Sequence, residues 1–220
     1  MSVKDNIEKL RKQVPQNVKI VAVSKFHSTD EIMEAYNDGQ FYFGESRVQE
    51  LEVKQPQLPQ NIEWHFIGSL QRNKVRFIAP FVTLIHSLDS ERLMREINNR
   101  AEQSNRIIPC LIQLHVANEE TKSGFTPDEA RAFLDSGNWK QYANVQLCGV
   151  MGMATYTDDK EQIRSEFKMI KSLFDEFKTK HFANEDSFRE VSMGMSGDYP
   201  IAIEEGATII RVGTLIFGER

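Results

Sequence analysis

Short apolar runs alternate with longer segments of helical spacing along most of the chain. The runs are rich in β-branched and aromatic residues. Several are nearly continuous in valine, isoleucine and leucine, which is typical of strands buried on both faces of a parallel sheet. The pattern predicts eight strands, at residues 18–25, 41–45, 62–68, 81–88, 108–116, 145–153, 188–194 and 208–212.

Helix start and stop signals lie between these predicted strands. Ser28 and Glu31 have the spacing of a capping box, in which each side chain accepts a bond from a free backbone N–H, and Gly39 can end that helix. Thr126, followed by proline and then by a glutamate, repeats the pattern. A longer helix after Asp159 is predicted by apolar residues at steps of four and three: Ile163, Phe167, Ile170, Phe174 and Phe177.

Repeated alternation of strand and helix predicts an α/β protein with a single (β/α)8 (TIM) barrel, and an open doubly wound sheet is the alternative. Ile7, Leu10 and Val14 share one face of a first helix. We expect this N-terminal helix to pack on the barrel after the eighth strand. We also expect one domain over residues 1–220, with residues 54–60 and 183–187 as connections on the far side of the barrel.

Composition narrows the classes of partner. A net charge of -5, from 27 basic and 32 acidic side chains, offers no positive surface to nucleic acid or to an anionic membrane. No stretch approaches the roughly 18 apolar residues of a membrane-spanning helix. Cys110 and Cys148 fit no metal-ligand spacing, which favours a reducing compartment. We therefore expect a cytoplasmic monomer that binds neither nucleic acid nor membranes.

Candidate chemistry falls at the carboxyl ends of the predicted strands, where barrel enzymes keep their active sites. Lys25 ends the first strand, and a desolvated, neutral amine can attack a carbonyl carbon to form a Schiff base. Ser196 is predicted at the N-cap of a helix after the seventh strand, and Gly213 and Thr214 follow the eighth. Barrel phosphate sites commonly use these two loops. A solvated lysine, an ordinary cap and an ordinary turn are the alternatives.

A Schiff-base lysine and a phosphate site together indicate a phosphorylated aldehyde or ketone. Pyridoxal 5'-phosphate (PLP) and sugar-phosphate ketones are the two candidates. His65, His86 and His115 also fall at predicted strand ends, so a metal site is a further hypothesis. No acidic partner is evident from the spacing, and we favour packing or hydrogen bonding for these imidazoles.

Seven segments of the chain resemble the pyridoxal phosphate homeostasis protein family, in order and over nearly the whole length. They are VAVSK (21–25), FGExxVQE (43–50), WHFIGxLQxNK (64–74), TKxGF (121–125), GVMGM (149–153), SMGMSxD (192–198) and RVGTxIFG (211–218). One departure is Ser46, which stands where members usually carry asparagine. Ser46 is therefore not among the expected site residues.

The resemblance implies a fold-type-III barrel like the N-terminal barrel of alanine racemase, with PLP held on Lys25 as an aldimine. It also implies phosphate contacts from Ser196, Gly213 and Thr214, and Arg211 facing the pyridine nitrogen. Because a guanidinium has no acceptor atom, that nitrogen stays unprotonated and the ring is a weak electron sink.

The function implied by the resemblance is intracellular vitamin B6 homeostasis with little or no turnover, and PLP-dependent apoenzymes as recipients of the cofactor. A racemase needs an acid and a base on opposite faces of the substrate carbon, and the sequence offers no evident base for one of these faces. Three alternatives stay open: a low-activity fold-type-III racemase, a Schiff-base aldolase acting on a sugar phosphate, and a structural protein without a ligand.

Overall fold

The computed structural model describes residues 2–117 and 123–219. Thr121 and Lys122, in the fourth family-like segment, lie outside the described residues. The strands are β1 (Lys19–Val23), β2 (Tyr42–Glu45), β3 (Glu63–Phe66), β4 (Leu84–Leu88), β5 (Ile108–Gln113), β6 (Val145–Met151), β7 (Glu190–Ser192) and β8 (Ile209–Val212). The helices are α1 (Val3–Gln13), α2 (Thr29–Asn37), α3 (Val48–Lys54), α4 (Val75–Ile78), α5 (Glu91–Gln103), α6 (Pro127–Asp135), α7 (Lys160–His181), α8 (Tyr199–Glu204) and α9 (Thr214–Phe217).

The strands form a closed parallel barrel. Each strand pairs with the next in chain order, and β8 returns to β1, with Lys19 opposite Ile209 and Ala22 opposite Val212. Every predicted strand is present, although each is shorter at one or both ends than its apolar run. The barrel prediction is therefore confirmed, and the open doubly wound sheet is excluded.

The capping signals act as expected. Ser28 Oγ accepts a bond from the N–H of Glu31 at 3.3 Å, and Thr126 Oγ1 accepts one from Glu129 at the same distance. The apolar stripe of α7 faces the barrel, where Ile163, Phe167, Ile170 and Phe177 are buried and Phe174 stacks on Phe188. Local sequence signals therefore determine where the surrounding helices begin and which face they bury.

The first helix packs against the end of the barrel chain, as predicted. Ile7 and Leu10 of α1 are buried, and α1 contacts both α2 and the short helix α9 that follows β8. Asn6 Nδ2 donates a hydrogen bond to the carbonyl oxygen of Ile216 at 2.9 Å. The α1 helix thus covers the position that a full-length helix after β8 would occupy.

Apolar side chains fill two layers. The larger core lies between the strands and the helices, and includes Phe43, Phe167 and Phe188. A smaller, separate cluster includes Val21 of β1 and Leu111 of β5. Of the helices that the structure describes, none has the combination of length and apolarity that crossing a membrane requires.

One predicted connection is partly wrong. Residues 183–187 form a loop before β7, as expected, but Lys54 is not in a loop. It is the last residue of α3, and its buried ammonium group donates to the carbonyl oxygen of Ser24, just beyond the end of β1. A basic residue before a polar, proline-containing stretch gives no sign of this contact, because the contact depends on how α3 packs on the barrel.

Candidate functional site

A cavity of about 530 Å³ opens at the carboxyl ends of the strands. Its volume lies within the range of ordinary small-molecule sites, roughly 300–1,000 Å³. The structure brings all five residues expected from the sequence to its wall: Lys25, Ser196, Arg211, Gly213 and Thr214. These residues follow or end β1, β7 and β8, so closure of the barrel is what places them around one space.

Lys25 stands two residues beyond β1 and is half-buried. The backbone before it is tied to β2, because the N–H of Ser24 donates to the carbonyl oxygen of Gly44 at 3.0 Å. The next residue, Phe26, has φ of 68°, a left-handed conformation that is unusual for a residue other than glycine. The chain thus turns sharply at the residue that bears the candidate nucleophile.

Ser196, Gly213 and Thr214 form the opposite wall. The N–H of Gly213 donates to Ser196 Oγ at 3.4 Å, which joins the loop after β7 to the end of β8. A Cβ atom at Gly213 would lie 3.2 Å from the carbonyl oxygen of Val23, so glycine permits this close approach. The predicted N-cap role of Ser196 is wrong: the N-cap of α8 is Asp198, because the turn continues for two more residues.

Arg211 is buried at the base of the cavity. Its Nη1 donates to Ser192 Oγ at 2.6 Å and its Nη2 to the carbonyl oxygen of Gly152 at 3.1 Å. Burial lowers the pKa of Arg211 to about 10, while the charge of Asp198 acts in the opposite direction. The guanidinium is therefore charged at neutral pH. Among the described residues, no carboxylate lies within ion-pair distance of it.

Two of the three predicted strand-end histidines extend this contact into the barrel. Ser192 Oγ lies 2.9 Å from Nδ1 of His86, and His86 Nε2 lies 2.9 Å from Nδ1 of His65. Since Arg211 can only donate, Ser192 accepts from it, and His86 Nδ1 is the one other described atom bonded to this hydroxyl, so it receives the hydroxyl hydrogen. We therefore assign both imidazoles as neutral, with the hydrogen on Nε2. The chain of donors runs in one direction, away from Arg211.

Burial keeps both imidazoles neutral. It lowers the pKa of His65 to about 3, with a smaller contribution from the charge of Lys19, and lowers the pKa of His86 well below its ordinary value. His115 lies apart, with Nε2 2.9 Å from the carbonyl oxygen of Ala117. Within residues 2–117 and 123–219, no three histidine, cysteine or acidic side chains gather in a way that could hold a metal ion.

The cavity wall also includes residues that were not among those expected from the sequence. His27 and Ser46 line it, together with the loop at residues 154–158 after β6. His27 Nδ1 lies 2.9 Å from Glu31 Oε1, and its ring stacks on Phe217. The loop is held by Glu166, whose Oε2 accepts from the N–H of Thr155 at 2.6 Å. His27 follows Lys25 by two residues, which was the one available sequence signal.

The chain has a closed parallel barrel, a lysine just past its first strand, and polar loops after strands seven and eight. These features are those of a barrel of the alanine racemase N-terminal type. The sequence model described as "Alanine racemase, N-terminal domain" matches residues 1–220. A Clostridium difficile alanine racemase matches the whole chain over 57% of its own length, with a TM-score of 0.78 and 13% identity, and this shows the fold alone.

Nearer relatives identify the family. The chain is 40% identical to a pyridoxal phosphate homeostasis protein of Aquifex aeolicus, over 92% of this chain and 87% of the relative. It is 38% identical to one of Helicobacter pylori, over 97% and 94% of the two chains. The structure of PipY from Synechococcus elongatus with PLP bound has a TM-score of 0.89 and 35% identity, over 99% of this chain and 100% of that one. The chain belongs to the pyridoxal phosphate homeostasis protein family.

Proposed function

We propose that this protein binds PLP in the cavity at the carboxyl end of the barrel and serves in PLP homeostasis. The observation that carries the proposal is the convergence of Lys25, Arg211 and the Ser196–Gly213 contact on one cavity. The family relationship and the structure of Synechococcus elongatus PipY with PLP bound support it.

The residues present fit this cofactor. A buried guanidinium without a carboxylate partner among the described residues favours an acceptor or an anion in the cavity, and PLP carries a pyridine nitrogen, a phenolate and a phosphate. Ser196 and Thr214 offer hydroxyl groups for the phosphate, and the backbone approaches closely at Gly213. Lys25 supplies the amine for the aldehyde carbon.

PLP supplies an aldehyde that reacts reversibly with amines, and an aromatic ring that withdraws electrons when its nitrogen is protonated. In the proposed arrangement, Nζ of Lys25 and the aldehyde carbon form a carbon–nitrogen double bond with loss of one water. Arg211 donates to the ring nitrogen and has no acceptor to hold a proton there. We therefore infer a protein that holds and releases PLP with little or no turnover.

The wider setting is also part of the proposal. We infer one domain, monomeric and cytoplasmic, that delivers PLP to PLP-dependent apoenzymes. The two cysteines, both buried and unpaired, are consistent with a reducing compartment. Light scattering after size-exclusion chromatography tests the monomer, and activation of a PLP-requiring apoenzyme by the loaded protein tests delivery.

The test of binding is covalent trapping. Wild type, Lys25→Ala and the control Lys9→Ala, an exposed lysine on α1, are mixed with PLP, reduced with borohydride and digested for peptide mass analysis. We expect a yellow wild-type protein whose absorbance band is bleached by borohydride, and a reduced adduct on Lys25. Lys9→Ala should match wild type, whereas Lys25→Ala should lack the adduct.

A wild-type protein that takes up no PLP would refute the proposal and favour the alternative of a Schiff-base aldolase acting on a sugar phosphate. Exchange of the α-hydrogen of an amino acid into deuterated water, measured on the PLP-loaded protein, distinguishes a carrier from a racemase. We expect exchange no faster than with free PLP. Faster exchange that depends on Lys25 would establish the racemase alternative instead.

A further inference from the structure

A buried cluster of charged groups lies behind the turn that carries Lys25. Lys54, at the end of α3, is only 7% exposed. Its Nζ donates to the carbonyl oxygen of Ser24 at 2.8 Å, to Glu45 Oε1 at 2.7 Å and to Glu50 Oε2 at 3.0 Å. All three bonds have a charged donor, and the carbonyl oxygen of Ser24 also accepts from the N–H of His27 at 3.0 Å, which closes the turn. The proposed function uses none of these charges directly.

The same cluster fixes the backbone on both sides of Lys25. Before it, Ser24 Oγ donates to Glu45 Oε1 at 2.8 Å, and the carbonyl oxygen of Ser24 accepts from Lys54. After it, the N–H of Phe26 donates to Glu50 Oε2 at 2.7 Å. Three groups within three residues are thus bonded to one side-chain cluster.

The left-handed conformation of Phe26 needs such support. An L-residue with a side chain disfavours positive φ because its Cβ approaches the backbone, whereas glycine adopts it freely. Half of the Phe26 side chain is exposed, so its burial alone gives a weak constraint. The bond from its N–H to the Glu50 carboxylate therefore acts on the one backbone position where the turn is intrinsically unfavourable.

We propose that Glu50, held by Lys54, which is itself anchored by Glu45, is a positioning residue that keeps the Phe26 turn left-handed and thereby holds Lys25 at the cavity wall. The inference rests on the proposed function of Lys25 as the PLP-binding amine. Glu50 does not contact the amine or the cofactor in this account. It acts only through the backbone N–H of Phe26.

The state of the two carboxylates agrees with this role. Burial raises the pKa of Glu50, but its bonds from Phe26 and Lys54 outweigh burial and leave the pKa lowered, so Glu50 is ionised at neutral pH. Burial dominates at Glu45 and raises its pKa despite the bond from Lys54. Within the described part of the chain, Glu45 Oε2 and Glu50 Oε1 have no hydrogen-bond partner, so both residues bind the cluster through one oxygen each.

The experiment compares Glu50→Gln, the double variant Glu50→Gln/Phe26→Gly, and the control Glu52→Gln. Glu52 lies on the same helix, and its side chain makes no hydrogen bond or ion pair with the turn within the described residues. The rate of borohydride-trappable PLP capture is measured as a function of PLP concentration, and the free energy of unfolding of each variant is measured separately by urea titration. Peptide mass analysis of the trapped wild-type protein first establishes that the adduct is on Lys25.

In Glu50→Gln, we expect the maximal capture rate to fall about ten-fold, because a turn no longer held left-handed is competent only part of the time. The PLP concentration for half-maximal rate should stay unchanged, since the phosphate contacts are intact. Glycine at position 26 adopts the turn without support, so the double variant should recover most of the wild-type rate. Glu52→Gln should match wild type.

Two outcomes would overturn the inference while leaving the proposed function intact: an unchanged maximal rate in Glu50→Gln, or a slow, folded Glu50→Gln that Phe26→Gly does not rescue. A purely structural role would lower the unfolding free energy without changing the capture rate. If Glu50→Gln does not fold, Glu50→Asp with and without Phe26→Gly is measured with the same expectations. Absence of trapping at Lys25 in wild type would instead refute the proposed function.

Discussion

Acidification should destabilise this protein through the His65–His86 pair. Both imidazoles are buried inside the barrel, and the pKa of His65 lies at about 3 in the folded chain. In the unfolded chain each imidazole titrates near its ordinary value of about 6.5. The unfolded state therefore binds protons first as the pH falls. The stability contributed by the neutral pair is present above about pH 6.5 and decreases below it.

The expected loss follows from the separation between these pKa values. Each pKa unit corresponds to about 1.4 kcal/mol, so lowering the pH from 6.5 to 5 removes about 2 kcal/mol through His65. Burial lowers the pKa of His86 in the same direction, so His86 adds to this loss. Because the folded pKa of His65 is well below 5, its contribution depends only on the unfolded chain.

Urea titration of the PLP-free protein at pH 7.5 and pH 5 measures this loss. Carboxylates also titrate near pH 5, so the comparison is with the double variant His65→Gln/His86→Gln, and His115→Gln serves as the control for a histidine outside the pair. Wild type should lose at least about 2 kcal/mol more than the double variant. An equal loss in both would refute the reasoning. In wild type, an NMR titration of the folded imidazoles gives an independent check, since a pKa above about 6 for either ring contradicts it.

Two further perturbations test the site and the core. Arg211→Met removes a buried charge that has no carboxylate partner among the described residues. In thermal melting, the free energy of unfolding without PLP should rise by about 1 kcal/mol, whereas the stabilisation by added PLP should decrease. A variant that is less stable alone and equally stabilised by PLP would contradict this. Burial raises the pKa of Cys148 to about 11 and that of Cys110 well above its ordinary value, so a chromogenic thiol reagent at pH 8 should label neither in the folded protein and both in urea. Rapid labelling of the folded protein would show that these thiols are accessible.

Local signals predicted most of the fold. Runs of branched residues gave all eight strands, and capping residues such as Ser28 and Thr126 gave helix starts to the residue. The five expected site residues line one cavity because each lies at or beyond the carboxyl end of a strand, and a parallel barrel brings these ends together. The family resemblance added the cofactor, which position alone could not distinguish from a sugar phosphate.

Contacts between distant elements were not predictable from one sequence. His65 and His86 meet because β3 and β4 pair with His65 opposite Leu84, and this stagger leaves no trace in either strand. Lys54 resembled a loop lysine because its partners lie on β2, on α3 and beyond β1. Serine before a helix usually caps it, which predicts Ser196 as the cap, but the chain makes an additional turn and the cap is Asp198.

Closure of the barrel has a consequence for how the chain folds during synthesis. Asn6 bonds to a carbonyl oxygen 210 residues later, and β1 is completed by β8. Contacts of such long sequence separation form slowly because a large loop must close first. Until β8 has left the ribosome, β1 and β7 are open strand edges, and until residue 216 follows, α1 lacks part of the surface it covers. A chain cut short before β8 therefore exposes aggregation-prone edges rather than folding as a smaller barrel.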